Sequence, residues 1–232
     1  MVEKKLFSSN PPLNHIKVLD GGQGWIGLLN HMGEEITICN SARVSFDSMK
    51  DTFDDKDEKL LKYLIKNEHL TPLEHVQFTF IVHCPLFVRS QWMRHRMWSY
   101  NEISRRYTNV NIEFYIPNRL REQSEDNKQG SIEDEVENND ELVKALKVVC
   151  ETALATYNGL LANGVCREQA RMVLPQNLMT TFWATVDLRN LLHFLKLRDD
   201  NHAQLEIREY AAAIKKLIAP FFPTIAKIYG WQ

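Results

Sequence analysis

The sequence predicts an α+β fold in which helices dominate around a small sheet. Three patterns indicate this fold: segments with apolar residues at helical spacing, a segment with apolar residues at every second position, and breaks that contain glycine or proline. The chain has 232 residues, enough for one large domain or two small ones and for a core without disulfides.

The first predicted elements are an arm, a strand and a turn. Residues 1–14 are polar and contain prolines, so we expect a loose arm there. A short strand is predicted over His15–Asp20. The turn that follows it is supplied by Gly21, Gly22 and Gly24.

Two helices are predicted next, over Glu34–Arg43 and over Asp55–Asn67. The apolar residues that set this spacing are Ile36, Cys39 and Ala42 in the first helix and Leu60, Leu61, Leu64 and Ile65 in the second. Thr71-Pro72 ends the helical pattern, because proline disfavours helix in the residue before it.

A strand is predicted over Val76–Cys84, since Phe78, Phe80 and Val82 alternate onto one face. Pro85 suits the first turn of the next helix. That helix is predicted to carry Gln91, Trp92 and the tripeptide Arg94, His95 and Arg96.

The second half begins with a change of composition. Residues 118–141 contain nine acidic side chains and few aliphatic ones, which predicts a solvated loop or insertion. Leu142–Leu161 then shows helical spacing over five turns, and shorter segments alternate with helices up to Trp231.

Composition excludes several classes of protein. The 28 basic and 30 acidic side chains give a net charge of −2, which argues against a general nucleic-acid binder but allows a local basic pocket for a phosphorylated ligand. The four cysteines form no CxxC pair, so we expect reduced thiols. The N-terminus has no apolar signal core and no run reaches membrane-spanning length, so a cytoplasmic location is expected.

An arginine cluster is the main chemical signal. Arg94, Arg96, Arg105 and Arg106 lie within thirteen positions, and such a cluster is costly unless an anion compensates it. Arginine forks match phosphate oxygens, so a nucleotide is the natural anion, although a solvated basic face has the same composition. The cluster is interleaved with aromatic residues that favour the nucleotide pocket, namely Trp92, Trp98, Tyr100 and Tyr107.

The run R-H-R-x-x-S-x-N-E-x-S-x-R-Y, from Arg94 to Tyr107, resembles the signature of flavin-dependent thymidylate synthases without a departure. Further similarity is present at ARVSFD (Ala42–Asp47), HLTPLEH (His69–His75), REQARMVLP (Arg167–Pro175) and LRDDNHAQ (Leu197–Gln204). The resemblance covers about three quarters of the chain.

The resemblance implies a single domain over residues 1–232 and an enzyme that converts dUMP to dTMP. In this family methylenetetrahydrofolate donates the carbon and NADPH supplies a hydride through FAD. It also implies a homotetramer, with no metal, nucleic acid or membrane as partner. Trp92, Trp98 and Tyr100 are expected at the subunit interface.

The family also implies roles for individual residues. Arg198 matches the arginine that polarises the uracil, and Arg106 and Arg171 are expected near the phosphate of dUMP. The full set expected to bind dUMP is Gln91, Arg94, Glu102, Ser104, Arg105, Arg106, Arg171 and Arg198. The set expected to bind FAD is His69, Thr71, Arg94, His95, Arg96, Glu102, Asp187, Arg189 and His193, with Ser45 and His202 as weaker candidates.

Asp187 and His193 stand where one common family pattern has asparagines. A histidine can still donate a hydrogen bond, whereas an aspartate repels a diphosphate unless it faces the ribose or the adenine. His75 is expected to be structural, and Ser104 to contact ligand rather than act as a nucleophile. Three aromatic residues are expected in the core: Phe182, Trp183 and Phe194.

No cysteine has a nucleophile context, which distinguishes this interpretation from thymidylate synthases that use a covalent cysteine. Two alternatives remain. Arginines mixed with aromatics also suit a single-stranded nucleic-acid binder, although the chain lacks a second basic stripe. A metal-dependent nucleotide hydrolase built on His69 and His75 is disfavoured by the lack of an HExxH pattern.

Overall fold

The structure is a computed structural model that describes residues 11–231. Most of the arm predicted over residues 1–14 therefore lies outside the described residues. The strands are β1 (His15–Val18), β2 (Gly24–Met32), β3 (Gln77–Pro85), β4 (Ser99–Glu102), β5 (Arg121–Gln123), β6 (Ser131–Glu135) and β7 (Met179–Asp187). The helices are α1 (Glu35–Arg43), α2 (Asp55–Lys66), α3 (Leu86–Trp92), α4 (Asn139–Ala162), α5 (Arg167–Ala170), α6 (Leu188–Arg198), α7 (Leu205–Ile218) and α8 (Pro223–Tyr229).

The main sheet is small and antiparallel, with strand order β1-β2-β3-β7-β4. Its central strand β3 has Phe78, Phe80 and Val82 on one face as predicted, and all three are fully buried. The prediction of a mixed fold with a small antiparallel sheet is confirmed. Periodicity does not identify β2, because its residues from Gly24 to Leu28 are buried on both faces and therefore do not alternate.

The predicted helices α1, α2 and α4 are present within a few residues of their expected bounds. The side chain of Asp54 caps α2 by accepting hydrogen bonds from the backbone amides of Lys56 and Asp57. The predicted glycine turn joins β1 to β2, and Gly22 needs to be glycine because its φ is +87°.

Trp92 lies at the centre of the core, and the prediction that places it at a subunit interface is wrong. Its ring packs on Phe194 at 4.8 Å and on Phe182 at 5.5 Å between centroids, and it is fully buried within one chain. Trp98 is also buried, at 6% exposure, against Trp92. The core positions of Phe182 and Phe194 are confirmed, whereas Trp183 is 44% exposed because it points from β7 to the opposite face of the sheet.

Helix α3 is shorter than predicted. It ends at Trp92, and Arg94–Arg96 lie in the turn that leads into β4. Backbone hydrogen bonds from His95 to Trp92 and from Arg94 to Gln91 form this turn. The chain must leave the helix here because β4 begins at Ser99 and pairs with β7.

The acidic segment contains more structure than a loop. Strands β5 and β6 form a two-stranded hairpin within it, and α4 begins at Asn139. The hairpin is held to α7 by an ion pair between Arg121 and the buried Glu206 at 3.0 Å. Composition shows the charge of this segment but not these long-range partners. Among residues 11–231, no helix combines the length and the apolar character needed to cross a membrane.

His83 makes the stability of the fold sensitive to pH. Its ring is 4% exposed, stacks on Trp25 and hydrogen bonds to Thr181 at 2.8 Å. Burial, assisted by the Arg105 guanidinium, lowers the pKa of His83 from 6.5 to about 4. Glu113 lies 3.6 Å from the His83 ring but is mostly exposed, so burial remains the main cause of the lowered pKa.

We expect acid to destabilise the protein through His83. Below pH 6.5 the unfolded chain binds a proton that the folded chain binds only near pH 4, so the stability that His83 contributes is lost as pH falls through this window. The loss reaches up to about 3 kcal/mol at pH 4. Urea unfolding at several pH values measures it, with His83→Gln as the comparison. An unchanged pH slope in His83→Gln would contradict this assignment.

Candidate functional site

The turn after α3 and helix α6 line a cavity of about 500 Å³. Five of the residues predicted to bind ligands or cofactor line this cavity, although α3 and α6 are about 100 positions apart in sequence. The lining residues are Arg94, His95, Arg96, Met97, Trp98, Asn190, His193, Leu197 and Arg198. The cavity that contains Arg198 is called the arginine cavity below.

Arg198 is held in a defined orientation. Its Nε donates a hydrogen bond to Nε2 of His95 at 3.0 Å, and an Nη donates to the backbone carbonyl of Gln91 at 3.2 Å. Burial and the neighbouring Arg198 and His193 lower the pKa of His95 to about 4, so its ring is neutral at pH 7 and Nε2 accepts. Two of the five donors of Arg198 are engaged within residues 11–231, which leaves others for a ligand.

The arginine cavity has an uncompensated positive charge. Arg94, Arg96 and Arg198 line it, and no carboxylate among residues 11–231 does. Trp98 also lines it, and its indole Nε1 is buried without a hydrogen-bond partner among the described residues. Guanidinium groups bind phosphate and other anionic oxygens in bidentate geometry. The cavity therefore fits a ligand that carries anionic oxygens, such as the diphosphate of FAD or a nucleotide.

Glu102 is fixed on both carboxylate oxygens. Arg89 donates to Oε2 from Nε at 2.9 Å and also from an Nη, and the buried Thr180 donates to Oε1 at 2.8 Å. The sequence did not indicate Arg89 or Thr180, because a contact between α3, β4 and β7 leaves no local pattern. These hydrogen bonds from Arg89 and Thr180 fix the orientation of the Glu102 carboxylate.

Arg105 has a different environment from its neighbour Arg106. Arg105 is buried, and its two Nη atoms donate to the carbonyls of Val110 at 2.6 Å and Asn111 at 2.9 Å. Burial lowers the pKa of Arg105. These contacts give it a clear role in holding the loop after β4, while its contact with dUMP remains a prediction.

Arg106 and Arg171 lie away from the arginine cavity. Arg106 lines a separate cavity of about 590 Å³, where it forms an ion pair with Glu168 at 3.3 Å. Arg171 is exposed in the short 3-10 turn after α5. The Oγ of Ser104 accepts a hydrogen bond from the backbone amide of Arg106 at 3.2 Å. The arginine cavity and the Arg106 cavity share no lining residue, so one chain does not bring all predicted dUMP contacts together.

A larger cavity of about 880 Å³ adjoins the arginine cavity and shares Met97, Asn190 and His193 with it. Asp187 and Arg189, both predicted to bind FAD, line this larger cavity. Asp187 caps α6, accepting hydrogen bonds from the amide of Asn190 at 2.9 Å and from its side chain at 2.7 Å. Arg189 forms an ion pair with Glu74.

The remaining predicted flavin residues are exposed. His69 packs edge-on against Tyr63, and Thr71 begins the adjacent 3-10 turn. Ser45 is exposed in the turn after α1, and His202 hydrogen bonds to Asp200 at 2.7 Å. None of these four residues lines either of the two adjoining cavities.

The cysteines are poor nucleophiles or lie away from the arginine cavity. Cys39, Cys84 and Cys150 are buried, and burial raises the pKa of Cys39 to about 11 and that of Cys84 well above its usual value. Cys166 is exposed and lines the Arg106 cavity. No group of three potential metal-ligating side chains is close enough to hold an ion among residues 11–231.

Comparison with known proteins identifies the relatives of this chain. The family described as "Thymidylate synthase complementing protein" matches residues 27–224. The flavin-dependent thymidylate synthase of Thermotoga neapolitana is 44% identical over 203 residues, which covers 87% of this chain and 88% of that protein. That of Thermus thermophilus is 44% identical over 211 residues, covering 90% of this chain and 75% of that protein.

Solved structures show the same fold. A UMP/dUMP methylase from Streptomyces cacaoi bound to 5-bromo-dUMP superposes with a TM-score of 0.79 at 31% identity, covering 88% of this chain and 93% of that one. The same methylase bound to 5-bromo-UMP gives a TM-score of 0.78 at 30% identity, with 88% and 92% covered.

Proposed function

This chain belongs to the flavin-dependent thymidylate synthase family, and we propose that it methylates dUMP to dTMP for DNA precursor synthesis. FAD is its cofactor. The proposal includes methylenetetrahydrofolate as carbon donor and NADPH as hydride donor. The observation that carries it is the arginine cavity, where a neutral histidine orients Arg198 and no carboxylate of the described part of the chain opposes an anionic ligand.

In the proposed reaction Arg198 faces the edge of the uracil. Its guanidinium stabilises negative charge on the ring, which favours attack by the ring carbon on the carbon donor. His95 keeps Arg198 in place through Nε2, and because the pKa of His95 is about 4 it adds no competing charge at neutral pH. Bound FAD supplies the two-electron chemistry, since no side chain can carry a hydride from NADPH.

The other assigned residues position the ligands. Glu102, fixed by Arg89 and Thr180, is proposed to contact dUMP and FAD, and Arg106 and Arg171 are proposed to bind the phosphate of dUMP. Further contacts to dUMP are proposed for Gln91, Arg94, Ser104 and Arg105. Contacts to FAD are proposed for His69, Thr71, Arg94, His95, Arg96, Asp187, Arg189 and His193.

We propose that the enzyme is a homotetramer whose active sites combine residues from different chains. The separation of Arg106 from the arginine cavity within one chain supports this arrangement. Exposed apolar side chains support it too, since soluble monomers rarely expose large apolar patches. Examples are Val44, Phe46 and Met49 after α1 and Val148 and Val149 on α4. These residues replace Trp92 and Trp98 as the proposed interface.

The purified protein is expected to carry FAD or to take it up. The uncompensated charge of Arg94 and Arg96 favours the diphosphate, and the adjoining cavity extends the site. An absorption spectrum of the purified protein, followed by an FAD titration monitored by flavin fluorescence, measures this. Colourless protein that leaves the fluorescence of added FAD unchanged would contradict the proposal.

A further inference from the structure

We propose that Tyr229 and Trp231 form a stacking platform for the adenine ring of FAD in the larger cavity. The proposal rests on the proposed function, because it takes the arginine cavity as the site of the diphosphate. Neither residue lies in a segment that resembles the family, and the family match ends at residue 224. The platform therefore lies beyond the residues that the family match covers.

The two rings lie nearly parallel to each other in the lining of the larger cavity. Both residues line it, and their ring centroids are 5.8 Å apart at an interplanar angle of 25°. The chain turns at Gly230, where φ is +64°, and the amide of Trp231 donates to the carbonyl of Ala226 at 2.9 Å. Tyr229 is 42% exposed. Nucleobases stack on such rings regardless of sequence, because every base has a π face.

The larger cavity is continuous with the arginine cavity. Met97, Asn190 and His193 line both. Its volume of about 880 Å³ is within the range of roughly 300–1,000 Å³ usual for small-molecule sites. An elongated dinucleotide such as FAD, with a ring system at each end of a diphosphate, suits two adjoining cavities.

The charges of the two cavities determine which part of FAD each one takes. Of the residues that the structure describes, three arginines and no carboxylate line the arginine cavity. The larger cavity has four carboxylates, Glu68, Glu74, Asp187 and Asp199, against three cations, Arg189, Lys196 and Lys215. Ion pairs already join Arg189 to Glu74 and Lys215 to Asp199. The diphosphate therefore belongs in the arginine cavity, and the uncharged adenosine belongs in the larger one.

This placement gives Asp187 a role that its charge permits. A carboxylate repels phosphate but accepts hydrogen bonds from ribose hydroxyls, as acidic residues do in other dinucleotide sites. Each oxygen of Asp187 accepts one hydrogen bond from Asn190 and has a further lone pair available. Asp187 therefore suits the ribose beside the adenine.

Titration of the apo-protein with FAD and with FMN, which lacks the AMP half of FAD, tests the platform. Trp231→Ala is expected to weaken FAD binding about tenfold and to leave FMN binding unchanged. Trp231→Phe, which retains a ring, is expected to restore most of the affinity for FAD. Phe221→Ala is the matched control, because Phe221 packs on His31 at the other end of α8 and does not line the cavity. It is expected to change neither titration.

Three results would overturn the platform. If Trp231→Ala weakens the binding of FAD and FMN equally, the two rings contact the flavin rather than the adenine. If it weakens the binding of neither, the rings contact no ligand. If Trp231→Ala fails to fold, titration of the wild-type apo-protein with AMP tests the platform instead. AMP is expected to quench tryptophan fluorescence and to be displaced by FAD but not by FMN, and an unchanged signal would contradict the proposal. A wild-type protein that binds neither flavin would instead contradict the proposed function.

Discussion

Arg198→Ala is expected to lower kcat about 100- to 1,000-fold while FAD remains bound. The loss is large because Arg198 is the cation proposed to stabilise charge that develops on the uracil, and its guanidinium is already oriented by His95 and by the carbonyl of Gln91. Arg198→Lys is expected to restore little activity, since an ammonium group cannot reproduce the planar fork. Steady-state kinetics and the flavin spectrum of each variant measure both effects.

Arg208→Ala is a matched control for this experiment. Arg208 is a partly buried arginine on α7 that hydrogen bonds to Asn201 at 2.9 Å and lines neither cavity of the candidate site. Its replacement is expected to leave kcat close to that of the wild type. Full activity in Arg198→Ala, with Arg208→Ala unchanged, would remove Arg198 from the mechanism.

Arg106→Ala and Arg171→Ala are each expected to weaken dUMP binding by about 1.5–3 kcal/mol, roughly 10- to 150-fold, with little effect on FAD. Both arginines are proposed to bind the phosphate through charge-assisted hydrogen bonds. Titration calorimetry with dUMP, and flavin fluorescence with FAD, separate the two ligands. Equal losses for both ligands would show that the two sites have been assigned incorrectly.

Arg171 lies outside the arginine cavity, so a second experiment can test whether one active site combines residues from two chains. If an active site takes Arg198 and Arg171 from different chains, then mixed oligomers of Arg198→Ala and Arg171→Ala contain some sites with both native arginines. Unfolding and refolding the two variants together is therefore expected to recover activity that neither has alone. A mixture as inactive as its components would contradict the shared site.

The sequence predicted the helices α1, α2 and α4 and the strand β3 well, because the apolar residues of each follow a clear period. It did not reveal β2, which is buried on both faces. Trp92 was misplaced at an interface because a large aromatic side chain suits an interface and a core equally, and only the contacts with Phe182 and Phe194 distinguish them.

The family motif predicted more of the residues at the candidate site than the chemical character of the side chains did. Arg94–Arg96 and Arg198 do meet at one cavity, as the family resemblance implied. Arg89 and Thr180, which fix Glu102, and the ring pair of Tyr229 and Trp231 were not predicted. Arg89 and Thr180 reach Glu102 from other elements of the chain, so spacing does not indicate these contacts. Tyr229 and Trp231 are only two positions apart, but their ring contact depends on the turn at Gly230.

The formation of dTMP from dUMP, followed chromatographically, tests the central claim most directly. The assay compares a complete mixture with mixtures that lack FAD, NADPH or methylenetetrahydrofolate, for the wild type and for single alanine replacements of Cys39, Cys84, Cys150 and Cys166. We predict dTMP only in the complete mixture and largely intact activity in every cysteine variant, because no thiolate attacks the pyrimidine. Formation of dTMP without FAD, or a cysteine variant that folds and binds FAD and dUMP yet makes no dTMP, would contradict the account.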